Sequence, residues 1–194
     1  LGIKASLCSV VGEDSAGDIL IEKLKKKEIQ ISNVLRLDNI RTTEKMRIVA
    51  GHQQIARVDW DMNDLGEDFF SGLIKNIDYR IQDFDGVIVS DYAKGICNAE
   101  FIKRIIEISN RSNIPIFVDP KGSDWHKYQN ANLITPNTKE AEAILGQKLE
   151  NDKAFETAGE KICSDFDIEA CLITRGCEGM SFLSKNNIFH LKSY

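Results

Sequence analysis

Asn137 and Glu140 stand one helical turn apart in the stretch LITPNTKEAEAILG, residues 133–146. An apolar run gives way there to a proline, then to an amide and a carboxylate on the first turn of a helical pattern. A hard divalent cation such as magnesium takes oxygen ligands and keeps several of its waters, so one carboxylate beside phosphate oxygens makes a usual site. A helix N-terminus adds backbone N–H groups and a dipole that favour an anion. The same residues also fit a local role, with Thr135 or Asn137 capping the helix and Glu140 completing a capping box.

Three more clusters follow apolar runs in the same way. GVIVS is followed by Asp91-Tyr92-Ala93-Lys94-Gly95, IPIFV by Asp119-Pro120-Lys121-Gly122, and ACLIT by Arg175-Gly176 and then Gly179. Each has a structural alternative. Asp-Pro is a common turn, Asp91 and Lys94 could pair with each other, and the two glycines could simply turn the chain between strands. Their shared placement carries more weight, because ligands of open parallel sheets bind beyond the carboxyl ends of the strands.

The elements that must position these groups read as an α/β alternation. ASLCSVVG is a strand and SAGDILIEKLKKKEI an amphipathic helix, with Ser15 a candidate cap. TTEKMRIVAGHQQIARVDWD makes two β-like runs around Gly51, a hairpin with one wet, basic side that could cover something anionic. From residue 66 onward, continuous apolar strands alternate with helices, closing on an antiparallel pair, GMSFLS and NIFHLK. That pattern calls for a mostly parallel sheet with helices on both faces. The expected organisation is one α/β domain over 1–194, with the 42–60 ribbon projecting from it.

Composition bounds the function. The chain of 194 residues is long enough for a substantial core, and 42% hydrophobic with 28% charged residues is ordinary for a soluble globular protein. A net charge of −5 argues against a general nucleic-acid binder. No apolar run approaches a membrane span, and LGIKASLCSVVGED lacks the parts of a signal peptide, so a cytoplasmic protein is expected. The five cysteines are scattered without a C-x-x-C pair, which predicts free thiols in a reducing compartment. His52, His126 and His190 lie far apart, with no Cys or Ser partner in a nucleophile pattern. Neither G-x-G-x-x-G nor G-x-x-x-x-G-K-[ST] occurs, which disfavours the common dinucleotide and P-loop sites.

SDYAKG, VDPKGSDWHKY, LITPNTKEAEAILG and LITRGCEGMSFL, in that order and spacing, resemble the ribokinase-type (PfkB) carbohydrate kinases. The subgroup they resemble is the heptose 7-phosphate kinase domain of bifunctional ADP-heptose synthesis proteins, whose Thr-x-Lys-x-Arg…Gln-Gln-x-x-Arg-x-Asp segment is similar to the hairpin. The resemblance implies a ribokinase-like three-layer sandwich with a projecting β lid. It further implies MgATP-dependent phosphorylation of D-glycero-D-manno-heptose 7-phosphate at the anomeric hydroxyl, on the route to lipopolysaccharide. It assigns Asn137 and Glu140 to magnesium and the ATP phosphates, and Thr174, Arg175, Gly176 and Gly179 to the nucleotide site. Asp91, Lys94, Asp119 and Lys121 fall to the sugar and transferred phosphate. Lys45, Arg47 and Gln54, on the lid, are candidates for the 7-phosphate, which needs cationic partners. The lid also implies a homodimer contact.

The family's catalytic base is an Asp in a Gly-Ala-Gly-Asp segment, and no such segment occurs in this sequence. The opening sugar-binding strand of the family is likewise not matched. The chain therefore reads as the middle of a kinase domain, expected to turn over poorly alone. The alternatives are a non-catalytic nucleotide or sugar-phosphate binding module, and a kinase for ribo-, fructo- or tagatose-phosphate sugars.

Overall fold

Ten strands and five α-helices form in the computed structural model, which describes residues 2–61, 65 and 67–193. By its internal contacts the chain divides into two compact units, residues 1–76 with 94–96 and residues 77–93 with 97–194.

The first unit opens with β1 (Ser6–Gly12), α1 (Ser15–Lys26) and β2 (Gln30–Leu37), with β2 parallel to β1. Asp14, not Ser15, caps α1. Its backbone is extended and its carboxylate accepts the Gly17 N–H at 2.8 Å, while Ser15 is already helical. An ionised carboxylate is the stronger acceptor at a helix N-terminus. The hairpin follows as β3 (Glu44–Ala50) and β4 (Gln53–Trp60), turned at Gly51 with φ 59°. That positive φ is where glycine avoids the steric cost of a side chain. Opposed residues share a face, so Met46, Ile48, Ala56, Val58 and Trp60 make one largely apolar side, with Glu44 at its foot, and Lys45, Arg47, Arg57 and Asp59 make the other side charged, with Val49 and Gln54 near its tip. Most of both sides is exposed. The helix α2 (Glu67–Arg80) comes next.

In the second unit, β5 (Val87–Ser90), α3 (Ala99–Arg111), β6 (Ile116–Asp119), β7 (Leu133–Ile134), α4 (Thr138–Leu145), α5 (Asp152–Phe166), β8 (Ala170–Thr174), β9 (Met180–Ser184) and β10 (Ile188–Leu191) follow in order. They build one sheet ordered β10-β9-β8-β7-β6-β5, parallel from β5 to β8 and antiparallel at β9 and β10. The core lies where one side of this sheet meets the apolar stripes of α3 and α5. Ile102, Ile108, Ile116, Ile134, Ile162 and Leu183 are all at most 1% exposed, and full burial of such a side chain is worth ~1.5–3 kcal/mol. A Cβ on Gly159 would meet Leu183 at 2.5 Å, so glycine is what lets α5 approach β9 this closely.

Short as it is, β7 matters. Pro136 has no N–H to continue a ladder, yet its carbonyl still accepts from the Thr174 N–H at 2.9 Å, and Asn137 bridges Thr174 in parallel. The N-terminus of α4 is thereby laid against the end of β8. Among the described residues all five cysteines are free, as read from their spacing. Burial pushes the Cys8 thiol up to about 12 and that of Cys163 to about 11, which keeps both protonated at neutral pH. Among the described residues no helix is long and apolar enough to cross a membrane.

Candidate active site

The parallel register sets the carboxyl ends of β5 to β8 along one rim, with Ser90 opposite Asp119 and Ile134 flanked by Val118 and Cys171. Two cavities open there. The smaller, of about 380 Å³, is lined by Asp91, Asp119, Lys121, Asn137, Glu140 and Thr174 among others. The larger, of about 840 Å³, is lined by Asn137, Phe155, Thr174, Arg175, Gly176 and Gly179 among others. Asn137 and Thr174 belong to both, so the cavities meet at the α4 N-terminus.

Asn137 and Glu140 form a complete capping box. The Asn137 side chain accepts the Glu140 N–H at 3.0 Å, and Glu140 Oε2 accepts the Asn137 N–H at 3.1 Å. The other carboxylate oxygen accepts from Lys121 Nζ at 2.8 Å. The capping role is thus real, and the box pins the Glu140 carboxylate on the wall of the smaller cavity, beside the Asn137 that both cavities share. Glu140 holds the Lys121 ammonium above its ordinary range, first through this hydrogen bond. Asp119 is pushed the opposite way for an acid. Burial raises its carboxyl, the negative charge of Glu140 raises it further, and Lys121 partly offsets both.

The donor set fits magnesium. A carboxyl raised by burial and by a neighbouring carboxylate, as Asp119 is, is relieved by a hard cation beside it. Among the described residues no three His, Cys, Asp or Glu side chains gather as a metal cage. An ion here would rest on one or two carboxylates and ligand oxygens, as magnesium commonly does.

Asp91 is placed otherwise than as an open ligand. It is 2% exposed, and both its oxygens are engaged. Oδ1 accepts the Ala93 N–H at 2.6 Å, and Oδ2 accepts Lys127 Nζ at 2.6 Å and the Tyr128 hydroxyl at 2.7 Å. The Tyr128 hydroxyl in turn accepts the Lys121 N–H at 3.0 Å. Asp91 is thus the hub that ties the end of β5 to the loop carrying Lys121. Burial drives the Tyr128 phenol far above its ordinary value, so it stays a donor. Lys127 and Tyr128 close the motif VDPKGSDWHKY, but nothing in their spacing points across 36 residues to Asp91.

The suggested Asp91–Lys94 pair does not form. Lys94 belongs to the first unit, where its Nζ holds both oxygens of Asp61 at 2.5 Å. Lys45, Arg47 and Gln54 also lie in that unit, all exposed on the ribbon.

Arg175 is packed into the wall of the larger cavity. Its guanidinium donates to Asp152 at 2.6 Å and to Ser181 at 3.2 Å, and lies 4.2 Å above the Phe155 ring. The hydrogen bond from Arg175 holds the Asp152 carboxyl below its usual range. Its backbone N–H bonds the Gly179 carbonyl at 2.8 Å. Gly179, at φ 100°, faces the Leu191 carbonyl at a distance no Cβ could share. The turn-making role of the glycines is therefore real, whatever else they do. Ser181 Oγ sits 2.9 Å from His190 Nδ1, and Glu156 lies 3.5 Å beyond. Ser181 is wholly buried, so this chain of groups offers no nucleophile to a substrate.

Similarity to known proteins agrees with this geometry. The family model for pfkB family carbohydrate kinases matches residues 1–194. The bifunctional protein HldE of Geobacter sulfurreducens is 36% identical over 196 aligned positions, covering 100% of this chain and 40% of that protein. The chain thus spans about 40% of the length of that curated relative. Among solved structures, a point mutant of Escherichia coli phosphofructokinase-2 superposes with TM-score 0.79 at 20% identity, over 100% of this chain and 64% of the other. Arabidopsis thaliana ribokinase, complexed with ribose and ATP, gives 0.75 at 13% identity, over 97% and 61%. These likenesses establish the ribokinase-like α/β fold expected from the sequence. With the family model matched from end to end, the chain belongs to the pfkB family of carbohydrate kinases.

Proposed function

We propose that this chain is the nucleotide- and phosphate-handling part of a MgATP-dependent kinase acting on D-glycero-D-manno-heptose 7-phosphate. The product would be the 1,7-bisphosphate, formed at the anomeric hydroxyl on the way to ADP-heptose. The observation that carries the reading is the junction of the two cavities at Asn137 and Thr174, with Glu140 and Lys121 alongside in the smaller one. In this reading ATP lies in the larger cavity and passes its terminal phosphate toward the smaller one.

Phosphoryl transfer asks a protein mainly for positioning and charge neutralisation. Lys121 and the α4 N-terminus supply positive potential at the junction, and Asp119 and Glu140 supply oxygen donors. Magnesium, when bound, neutralises phosphate charge there, with Glu140 and Asn137 the residues that would hold it through its waters. Lys45, Arg47 and Gln54 are assigned to the sugar phosphate. The heptose assignment rests on the motif resemblance and on the HldE relatives.

The ribbon's apolar side supports a homodimer through that element. Met46, Ile48 and Val58 are 50%, 46% and 37% exposed on a shared face, and an isolated two-stranded ribbon is marginal in water.

The test is ADP release from MgATP by the polypeptide carried to its natural ends, with heptose 7-phosphate set against ribose and fructose phosphates. Preferential turnover of heptose 7-phosphate is the expected result. Preference for another sugar would overturn the substrate and leave the kinase. No ADP release with any sugar would favour a binding module instead.

A further inference from the structure

The root of the ribbon is built into a socket that none of the assigned site residues explains. Thr42, two residues before β3, is 6% exposed although it is polar. Its backbone N–H donates to Asp14 Oδ2 at 2.8 Å, its hydroxyl donates to Asp14 Oδ1 at 2.7 Å, and that hydroxyl accepts the Gly12 N–H at 2.9 Å. Asp14 Oδ1 also accepts the Gly17 N–H, so α1 and the ribbon root converge on one carboxylate, and β1 joins them through the Thr42 hydroxyl.

The two glycines make the room. A Cβ on Gly12 would lie 2.5 Å from the Ile40 carbonyl and 3.0 Å from the Thr42 nitrogen, and one on Gly17 would lie 2.4 Å from the Gly12 carbonyl. The spacing G-x-D-x-x-G over residues 12–17 is therefore a clamp for Thr42. The hydrogen bonds from Thr42 and Gly17 hold the Asp14 carboxyl below its usual range, so it accepts as an anion. The ribbon's other foot is tied as well. Arg41 lies 4.6 Å over the Trp60 ring, and Asp61 is held by Lys94.

We propose that Asp14 and Thr42 are positioning residues that anchor the ribbon at its root and so hold the cationic face of Lys45 and Arg47 to the sugar phosphate. The second half rests on the proposed function; the first does not. Lys45 is only three residues beyond Thr42, so a small rotation at the root swings the whole charged face. A two-stranded ribbon exposed on both sides has little else to set its direction.

Thr42→Val removes the hydroxyl and keeps the shape, Thr42→Ser keeps the hydroxyl, and Asp14→Asn keeps an acceptor without its charge. Each is made in the polypeptide carried to its natural ends. Hydrogen exchange over residues 44–60 should accelerate about tenfold in Thr42→Val, with β8 and β9 unchanged. Thr42→Ser should stay near wild type, and Asp14→Asn should fall between. With a sugar phosphate that the wild type turns over, Thr42→Val should raise its KM about tenfold and leave the MgATP KM unchanged. The proposal is overturned if ribbon exchange is unmoved in Thr42→Val, if Thr42→Ser is as damaging, or if exchange accelerates equally everywhere. Faster ribbon exchange with both KM values unchanged overturns the link to substrate. A wild type inactive on every sugar phosphate counts against the proposed function, and the exchange result still decides the anchoring.

Discussion

At the rim of the second unit Asp91 has three donors on its two oxygens, and Glu140 sits in a closed capping box with Lys121 on its free side. On the ribbon of the first unit Lys45, Arg47 and Arg57 share an exposed face, and the chain around them is held chiefly at its root. The rim groups are fixed by side-chain and backbone partners within the second unit. The ribbon charges are fixed by strand register and by two feet. A phosphate site gains from preorganised groups, and an element that must move gains from being held only at its ends.

The largest expected effect would break the rim. Asp91→Ala leaves the Lys127 ammonium, 11% exposed, without its buried partner, and such a loss costs about 3–5 kcal/mol. Denaturant unfolding would measure it. A loss under ~1 kcal/mol would mean that the rim is held by packing and not by this hub.

Glu140→Gln separates function from stability. Its bond to Lys121 is half-exposed, and such pairs are worth ~0–1 kcal/mol. The folding midpoint should scarcely move, while turnover of the sugar phosphate falls by about 10² if the carboxylate acts beside the phosphates. Equal turnover in the variant would reduce Asn137 and Glu140 to a helix cap.

Ile48→Lys tests the ribbon. On an exposed face it should change stability by less than ~0.5 kcal/mol. It should also convert a dimer to monomer in sedimentation. A dimer that persists would place the subunit contact elsewhere.

The smallest effect sets Asp119 apart from the other rim acids. Its carboxyl is raised above its ordinary value of 3.8, so the folded chain binds that proton more tightly than the unfolded chain. The resulting stability is fully present below the ordinary value and is lost as pH rises through the raised one. Asp119→Asn should therefore raise the thermal midpoint slightly at neutral pH, and the gain should vanish in acid. A variant less stable at neutral pH would show that Asp119 supports the fold instead of straining it.

Much of this was legible beforehand. The alternation of apolar runs and helical stripes shows the order of the elements along the chain, and Gly51 marks the hairpin turn, which takes φ 59°. Those are local matters of side-chain period and backbone sterics. The capping box was readable because its partners are three residues apart. At α1 the sequence suggests Ser15 and the structure uses Asp14, because both types cap helices and only the backbone angles choose between them. The bonds of Lys127 and Tyr128 to Asp91, the attachment of Lys94 to Asp61 and the tie of Thr42 to Asp14 are not readable in the sequence. Each joins residues 28 to 37 positions apart, and no local period encodes such a meeting.

The sequence by itself therefore determined the elements, their alternation and the four rim clusters, because hydrophobic period and turn chemistry act over a few residues. Tertiary structure alone decided which polar groups at those places are free to meet a ligand and which are already spent on one another. A buried charge must find its partner wherever the fold brings one: that rule turned Asp91 inward to Lys127 and Tyr128, while Lys121 and Glu140 pair with each other on the wall of the smaller cavity.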